Sequence, residues 1–388
     1  MFNHWLSELP GALLAGVLNP VLLISVIAAI VAGAVRLKRE RRDVRTAVKP
    51  WYIELLSFFG VSLAVGLVLS AIVSGAGIVI DVFWIYVVSM VMILAAVTGQ
   101  FRLLSAGFMF PVVLGTILAL DYYDVALPDI IPPLPDVFLA AGILMGLLLV
   151  AEGLMIQLNA VKQTSPRLIR TPRGMKAGAF FTKRVWLVPL LIPVPSGLIS
   201  EAGWWPLIGG GDTFSLMIFP AVLGYQLTVV HDLPKAILKT TGTQVAWLGV
   251  LSATVAAGSL WAPYLIYGAF GIAFAGRLFI LLKTRIVCRK SGYHFLNGDK
   301  GVIIIDVLPG TPAAKMGLLR GERVHKVNGI AVKNEREFYE AVQKNRAHCK
   351  LEVYNHAGEI RYTQAALYEG QHHQLGLILI EDRNRETA

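Results

Sequence analysis

Two acidic fragments offer the most direct chemistry in this chain. Asp124, in Tyr123-Asp124, and Asp212, closing the run "GGGD" (209–212), form a carboxylate pair far apart in sequence. Two carboxylates held close in a dry site share a proton and can activate water for peptide hydrolysis. The glycine run also reads as a plain turn, and both aspartates fall in loops at the outer boundary of apolar segments. In "PSGLIS" (195–200), Val194 and Pro195 break the G-x-S-G spacing of a serine nucleophile site. A zinc protease needs H-E-x-x-H, so that two imidazoles on one helix face share a metal with a carboxylate base. Of eight histidines, only His4 and His231 lie in the apolar part. A transport pathway uses ionisable groups inside spans. Its candidates are Glu152, with Gln157 and Asn159 on the same stretch, then Glu201, Arg277 and Asp81. For Glu152 the plainer role is one interhelical hydrogen bond or a snorkelling contact. None of these sets completes a catalytic constellation, so the chain is expected to be no enzyme and to use no cofactor or metal.

The elements that must carry these residues are mostly apolar. The chain has 388 residues, 55% apolar and 15% charged, against about 25% charged in an ordinary soluble domain. The imbalance is local. Residues 51–161 hold a single basic residue, Arg102, whereas residues 291–388 hold thirteen Lys/Arg and twelve Asp/Glu. Crossing hydrocarbon takes about 20 apolar residues in a helix. Such runs fall at roughly 12–35, 51–74, 78–98, 103–120, 137–160, 185–207, 213–230, 243–260 and 262–282. Pro10 and Pro20 interrupt the first. The sixth carries Pro189, Pro193, Pro195 and Pro206, each without an amide donor, and broken backbone at membrane depth survives only where protein or a wet cavity satisfies it. The expectation is an α-helical polytopic membrane domain of seven to nine spans, residues 1–283, followed by a small α+β domain, residues 284–388.

Basic loops orient such a chain. Residues 36–49 and 162–184 carry seven Lys/Arg each and 283–290 carry four, while 121–136 carry four Asp and no base. All three basic stretches then face the cytoplasm, and so does the C-terminal domain. These loops hold most of the net charge of +10, which reads as a topology signal and an attraction to anionic lipid. No basic face interleaved with aromatics suggests nucleic-acid binding. The N-terminus lacks the positive region of a cleavable signal. Cys288 and Cys349 both fall on the cytoplasmic side, where a disulfide is not expected.

From Gly301 the pattern changes. "GVIIIDVL" is a β-branched run ended by Pro309-Gly310, and Thr311 can cap a short helix begun by Pro312. Asn328-Gly329 marks a tight turn. Asn334 can cap a helix carrying Phe338, Ala341 and Val342, a hairpin turns at His356-Ala357-Gly358, and "LGLILI" (375–380) is a last strand. "LPGTPAAKMGL" and "GERVHKVNG" in this order resemble a PDZ domain, with Glu322 where that family usually has Asp. The resemblance implies that a peptide adds a strand to a sheet edge beside the longer helix. The helix wall would be Phe338, Tyr339 and Val342, although Phe338 and Val342 also read as packing residues. The loop for a terminal carboxylate would be Gly292, Tyr293, His294 and Phe295, with His294 replacing a usual glycine. In a circularly rearranged PDZ domain it would instead be Leu375, Gly376 and Leu377. Recognition of an internal segment is equally open.

A broader resemblance joins both ends. "LNPVLLISVIAAIVAGAVRLKRERR" (18–42) and "EFYEAVQKNRAHCKLEVYNHAGEIRYTQAALYEGQHHQLGL" (337–377) resemble the MinJ family of bacterial division-site determinants. "YEGQHHQLGL" weighs most, because it is not generic to PDZ domains. The resemblance implies an adaptor in the bacterial cell membrane, enriched at septum and poles. It would link the scaffold DivIVA to MinD, which with MinC blocks FtsZ assembly. A PDZ-regulated transporter and an intramembrane protease using Asp124 and Asp212 are the alternatives.

Overall fold

The computed structural model describes residues 2–123, 134–171, 174–201, 203–209, 212–230, 233–290, 295, 301–345, 347–367 and 375–380. Helices α1 (Phe2–Leu18) and α2 (Pro20–Val44) are separated at Asn19, whose side chain accepts from the Val21 amide while Pro20 starts α2. α3 (Ile53–Ala76), α4 (Val82–Val97), α5 (Ala106–Tyr122) and α6 (Leu134–Leu158) follow, and then α7 (Pro234–Gly258) and α8 (Leu265–Lys290) after a β segment. Four helical stretches among the described residues are long and apolar enough to cross a membrane: Pro20–Val44, Ile53–Ala76, Phe138–Lys162 and Leu265–Cys288. α6 and α7 pack through glycines. A Cβ on Gly153 would stand 2.5 Å from the Gly242 carbonyl, and one on Gly249 would stand 2.6 Å from that of Gly146. Small residues at such spacing let helix backbones meet where lipid supplies no hydrophobic drive.

The sixth and seventh expected spans, 185–207 and 213–230, are not helices. They lie in a long antiparallel hairpin, β2 (Lys176–Ser200) and β3 (Thr213–Val229), with β1 (Ser165–Arg170) pairing only the first residues of β2. Hydropathy reports burial, and a strand buried on both faces is as continuously apolar as a helix. The prolines are the discriminating residues. Pro189, Leu191, Pro193 and Pro195 alternate with residues bonded to β3, so their backbone groups face away from it. That outer edge lies along α3. Ser70 Oγ donates to the Pro189 carbonyl (3.3 Å) and accepts from the Leu191 amide (2.9 Å). Ser74 Oγ donates to the Leu191 carbonyl (2.6 Å), and the Ile80 amide to that of Pro193 (3.0 Å). Proline removes the donors that would have no partner there, and serine satisfies the groups that remain. On β3, Pro220 stands opposite Pro189, and the Gly224 amide donates to the Leu104 carbonyl at 2.7 Å.

Basic stretches gather at one end of this bundle. Arg36 ion-pairs with Glu40 (2.9 Å) and Glu54 (2.6 Å), and Arg184 with Glu54 (3.1 Å). Lys49 Nζ donates to the Lys162 carbonyl at 2.8 Å, and Arg39 to Ser165 at 3.1 Å. The far end holds Trp205, whose Nε1 donates to the Ser74 carbonyl, and the Val79 amide bonded to Ile208.

The C-terminal unit comprises β4 (Val302–Val307), α9 (Pro312–Lys315), β5 (Arg323–Val327), β6 (Ile330–Ala331), α10 (Glu335–Gln343), β7 (His348–Tyr354), β8 (Ile360–Ala366) and β9 (Leu377–Leu379). Its sheet runs β8-β7-β5-β4-β9, with β6 against β5. Asn328 and Gly329 both have positive φ (51° and 84°), the mirror-image turn that Asn-Gly favours. Asn334 caps α10 by accepting from the Glu337 amide at 2.9 Å. Thr311 does not cap α9; its hydroxyl donates back to the Leu308 carbonyl at 2.7 Å. Glu322 accepts from the Leu319 amide and pairs with Arg361, both at 2.8 Å, so the longer acid closes the turn before β5. The unit docks on the basic end of the bundle. Ile303, Ile305 and Ile378 pack with Val48, Phe180 and Phe295, and Arg320 joins Asp306 (2.6 Å) to Thr164 (2.7 Å).

Candidate functional site: a groove between β9 and α10

β9 ends the sheet, so among the described residues one of its edges has no strand partner. Across from it stands α10, and between them runs a groove of about 270 Å³ lined by Leu308, Glu335, Tyr339 and Gly376–Leu379. Gly376 shapes its end. With φ +87°, a Cβ there would collide with the Thr311 side chain, so only glycine lets the chain turn so close to Thr311. The Gly376 carbonyl accepts from the Leu308 amide (2.8 Å) and the Leu375 carbonyl from that of Ala313 (3.0 Å), which ties the loop down. Burial and the neighbouring Glu335 carboxylate push the Tyr339 phenol up to about 12, so it stays protonated as a donor. The outer wall belongs to the N-terminal bundle: Asp43–Thr46, at the C-terminal end of α2, and Leu168 of β1. A free strand edge facing a helix, with an aromatic on one wall, can accept an extended peptide by backbone pairing.

The expected site residues divide. Tyr339, Gly376 and Leu377 line the groove. Phe338 and Val342 are fully buried in the core under the sheet, together with Leu375. Phe295 packs edge-on against Phe180 (5.1 Å between ring centres), and its carbonyl accepts from the Gly178 amide at 2.9 Å. Gly292, Tyr293 and His294 lie outside the described residues. Glu335 and Leu308 were not anticipated, although Glu335 precedes Tyr339 by one helical turn and that spacing was available. The wall from residues 43–46 comes from tertiary docking, which no local pattern signals.

The PDZ domain family matches residues 303–355. Across almost the whole chain, the sequence is 35% identical over 378 residues to the cell division topological determinant MinJ of Bacillus subtilis (strain 168), covering 96% of this chain and 94% of that protein. The chain belongs to the MinJ family. A probable MinJ of Lacticaseibacillus paracasei is 25% identical over 359 residues, covering 91% and 92% of the two chains. The MinJ family acts in placing the division site, and a membrane protein with a C-terminal PDZ domain fits that role.

In this member of the MinJ family, Glu152, Asn159 and Asp81 each have partners inside the bundle. Glu152 accepts from Arg277 Nη2 (2.8 Å) and from Ser105 Oγ (2.6 Å), joining α5, α6 and α8. Both charges are almost fully buried, so removing either partner would cost about 3–5 kcal/mol. Asn159 accepts from Ser57 (2.6 Å) and Trp186 (3.1 Å), and Asp81 caps α4 through the Phe83 amide (2.8 Å). Glu201 and Asp212 are exposed, and Asp124 lies outside the described residues. Among the described residues no three His, Cys, Asp or Glu side chains gather to hold a metal. Both cysteines are free and buried, and burial pushes the Cys349 thiol up to about 12.

Proposed function

We propose that this protein is a membrane-anchored adaptor for division-site placement, with its C-terminal PDZ unit in the cytoplasm and its β9–α10 groove taking a peptide segment of a partner. By family resemblance the partners are a DivIVA-like scaffold and a MinD-like protein, joined at septum and poles. The observation that carries the reading is the edge of β9 that has no strand partner among the described residues and faces Tyr339. Membrane confinement raises the effective concentration of both partners, so each contact works even when weak. The saturated pairing of Glu152 with Arg277 argues against a transport route through that carboxylate.

Gly376→Val in the full-length protein tests the groove. The loop must rebuild around Thr311, so fluorescently tagged MinD is expected to leave septa and the cells to form filaments or minicells, with membrane abundance of the variant unchanged. MinD that stays at septa would refute the groove as the contact. Orientation is supported by the basic stretches lying at the end where the PDZ unit docks. Since both native cysteines are buried, exposed Lys333 is the better reporter. Lys333→Cys is expected to resist an impermeant thiol reagent in intact cells and to react after lysis; labelling of intact cells would reverse the orientation.

A further inference from the structure

A second cavity system lies on the outer face of the bundle, away from the peptide groove. Between α2 and α4 runs an apolar trough of about 240 Å³, walled by Ile24, Ile27, Ala28 and Val31 and by Val97 opposite. Ile27, Val31 and Val97 are 59%, 54% and 73% exposed, so the trough opens outward from the bundle. It ends at Lys183. There it joins a cup of about 120 Å³ that shares Ala32, Val35 and Lys183 with it and adds Arg36, Arg39, Arg184, Glu54 and Gln226.

Charge in the cup is unevenly committed. Arg36 is held by Glu40 and Glu54, and Arg184 donates to Glu54. Lys183 makes no ion pair or hydrogen bond among the described residues; its ammonium lies 4.3 Å from the centre of the Phe101 ring. Arg39 reaches Ser165 through Nη2 and stacks 4.3 Å from the Phe181 ring, but its Nε is buried without a partner. Arg184, 3% exposed, likewise has a buried Nε with no acceptor. Three cationic side chains therefore retain unused donors in a cup at the head of an apolar trough. The depth agrees. The apolar part of α2 from Pro20 to Val35 rises about 24 Å, near the thickness of a hydrocarbon core of about 30 Å, which brings Arg36 to headgroup level.

We infer that trough and cup form one binding site for an anionic phospholipid, with an acyl chain between α2 and α4 and the phosphate between Lys183 and Arg39. Neither element suffices alone: the trough gives no preference for charge, and the cup gives none for a chain. Basic pockets between spans on the cytoplasmic side hold anionic headgroups in this manner. The site shares no residue with the β9–α10 groove.

The test uses the full-length protein in neutral detergent, titrated with phosphatidylglycerol or with phosphatidylcholine of the same chains, and read by native mass spectrometry and by melting temperature. Wild type is expected to retain phosphatidylglycerol over phosphatidylcholine. Lys183→Gln and Arg39→Gln should each weaken retention about fivefold, at about 1 kcal/mol per basic residue. Lys183→Gln loses no ion pair or hydrogen bond among the described residues, only the contact with the Phe101 ring, so without lipid it should melt close to wild type. Ala28→Trp blocks the trough and leaves the cup intact, so it should lower affinity for phosphatidylglycerol as well. Equal retention of the two lipids overturns the inference. So does equal stabilisation by glycerol phosphate, which has the headgroup and no chain, and so does undiminished retention in Lys183→Gln.

Discussion

The protein builds two β structures from one chain and finishes their edges in opposite ways. In the bundle, the outer edge of β2 from Pro189 to Pro193 is closed by its prolines and by Ser70, Ser74 and Ile80, and β3 is met at Gly224 by Leu104. In the PDZ sheet, β9 has an edge beside α10 without a strand partner among the described residues. An unpaired amide or carbonyl costs little in water and several kcal/mol in a medium without hydrogen-bonding partners. The same backbone is therefore a liability to be sealed in one region and, for the proposed peptide contact, a surface to be kept in the other. Edges of sheets invite pairing with other chains, and among the described residues the PDZ sheet leaves the outer edges of β8 and β9 without a strand partner.

The sharpest way to break this comparison is at the sealed edge. Ser70→Ala with Ser74→Ala strands two carbonyls and the Leu191 amide, at about 1–3 kcal/mol for each buried group left unsatisfied. A large fall in melting temperature of the detergent-purified protein is expected, with the isolated edge of β9 unaffected. No fall would mean that the hairpin edge is not sealed by these hydroxyls. At the open edge the expectation inverts. Tyr339→Ala should leave stability within about 1 kcal/mol and weaken peptide capture about tenfold, as truncating an aromatic anchor does; calorimetry with a binding peptide, set beside a melting curve, separates the two. The smallest effect lies at the seam. Burial and the charges of Arg320 and Arg184 push the Lys49 ammonium down to about 8 from 10.5. The unfolded chain then holds that proton more tightly than the folded one, so stability contributed by this group rises as pH climbs from about 8 toward 10.5. Lys49→Gln should flatten that limb in melting curves taken across this range.

Much of the PDZ unit was legible because its turns are chemically explicit. Asn328-Gly329 forces positive φ, Asn334 caps α10, and Gly358 closes the β7–β8 hairpin, each within a few residues. Most apolar helices were legible from length and hydropathy alone. The hairpin was not, because "VWLVPLLIPVPSGLIS" is as apolar as a span. The same prolines that flagged a broken helix turn out to mark alternate positions of a strand, and period two is easily missed among uniformly apolar neighbours. Of the groove, Tyr339 and Gly376 were visible in sequence, while Phe338 and Val342 proved to face the core. Helical spacing alone does not tell which side of α10 looks inward. The wall from Asp43–Thr46 depends on docking two regions some 330 positions apart, a relation written in no local pattern.

The sealed hairpin also bears on the order in which the chain is made. Among the described residues, the groups that bond to its outer edges at Ser70, Ser74, Ile80 and Leu104 all precede Lys176 in the sequence. When β2 and β3 emerge during synthesis, the side chains and amides that will receive them already exist. At these positions the hairpin does not have to wait for a later helix to arrive. A fold that places strands inside a helical bundle thus depends on the helix arriving first, and this chain is numbered accordingly.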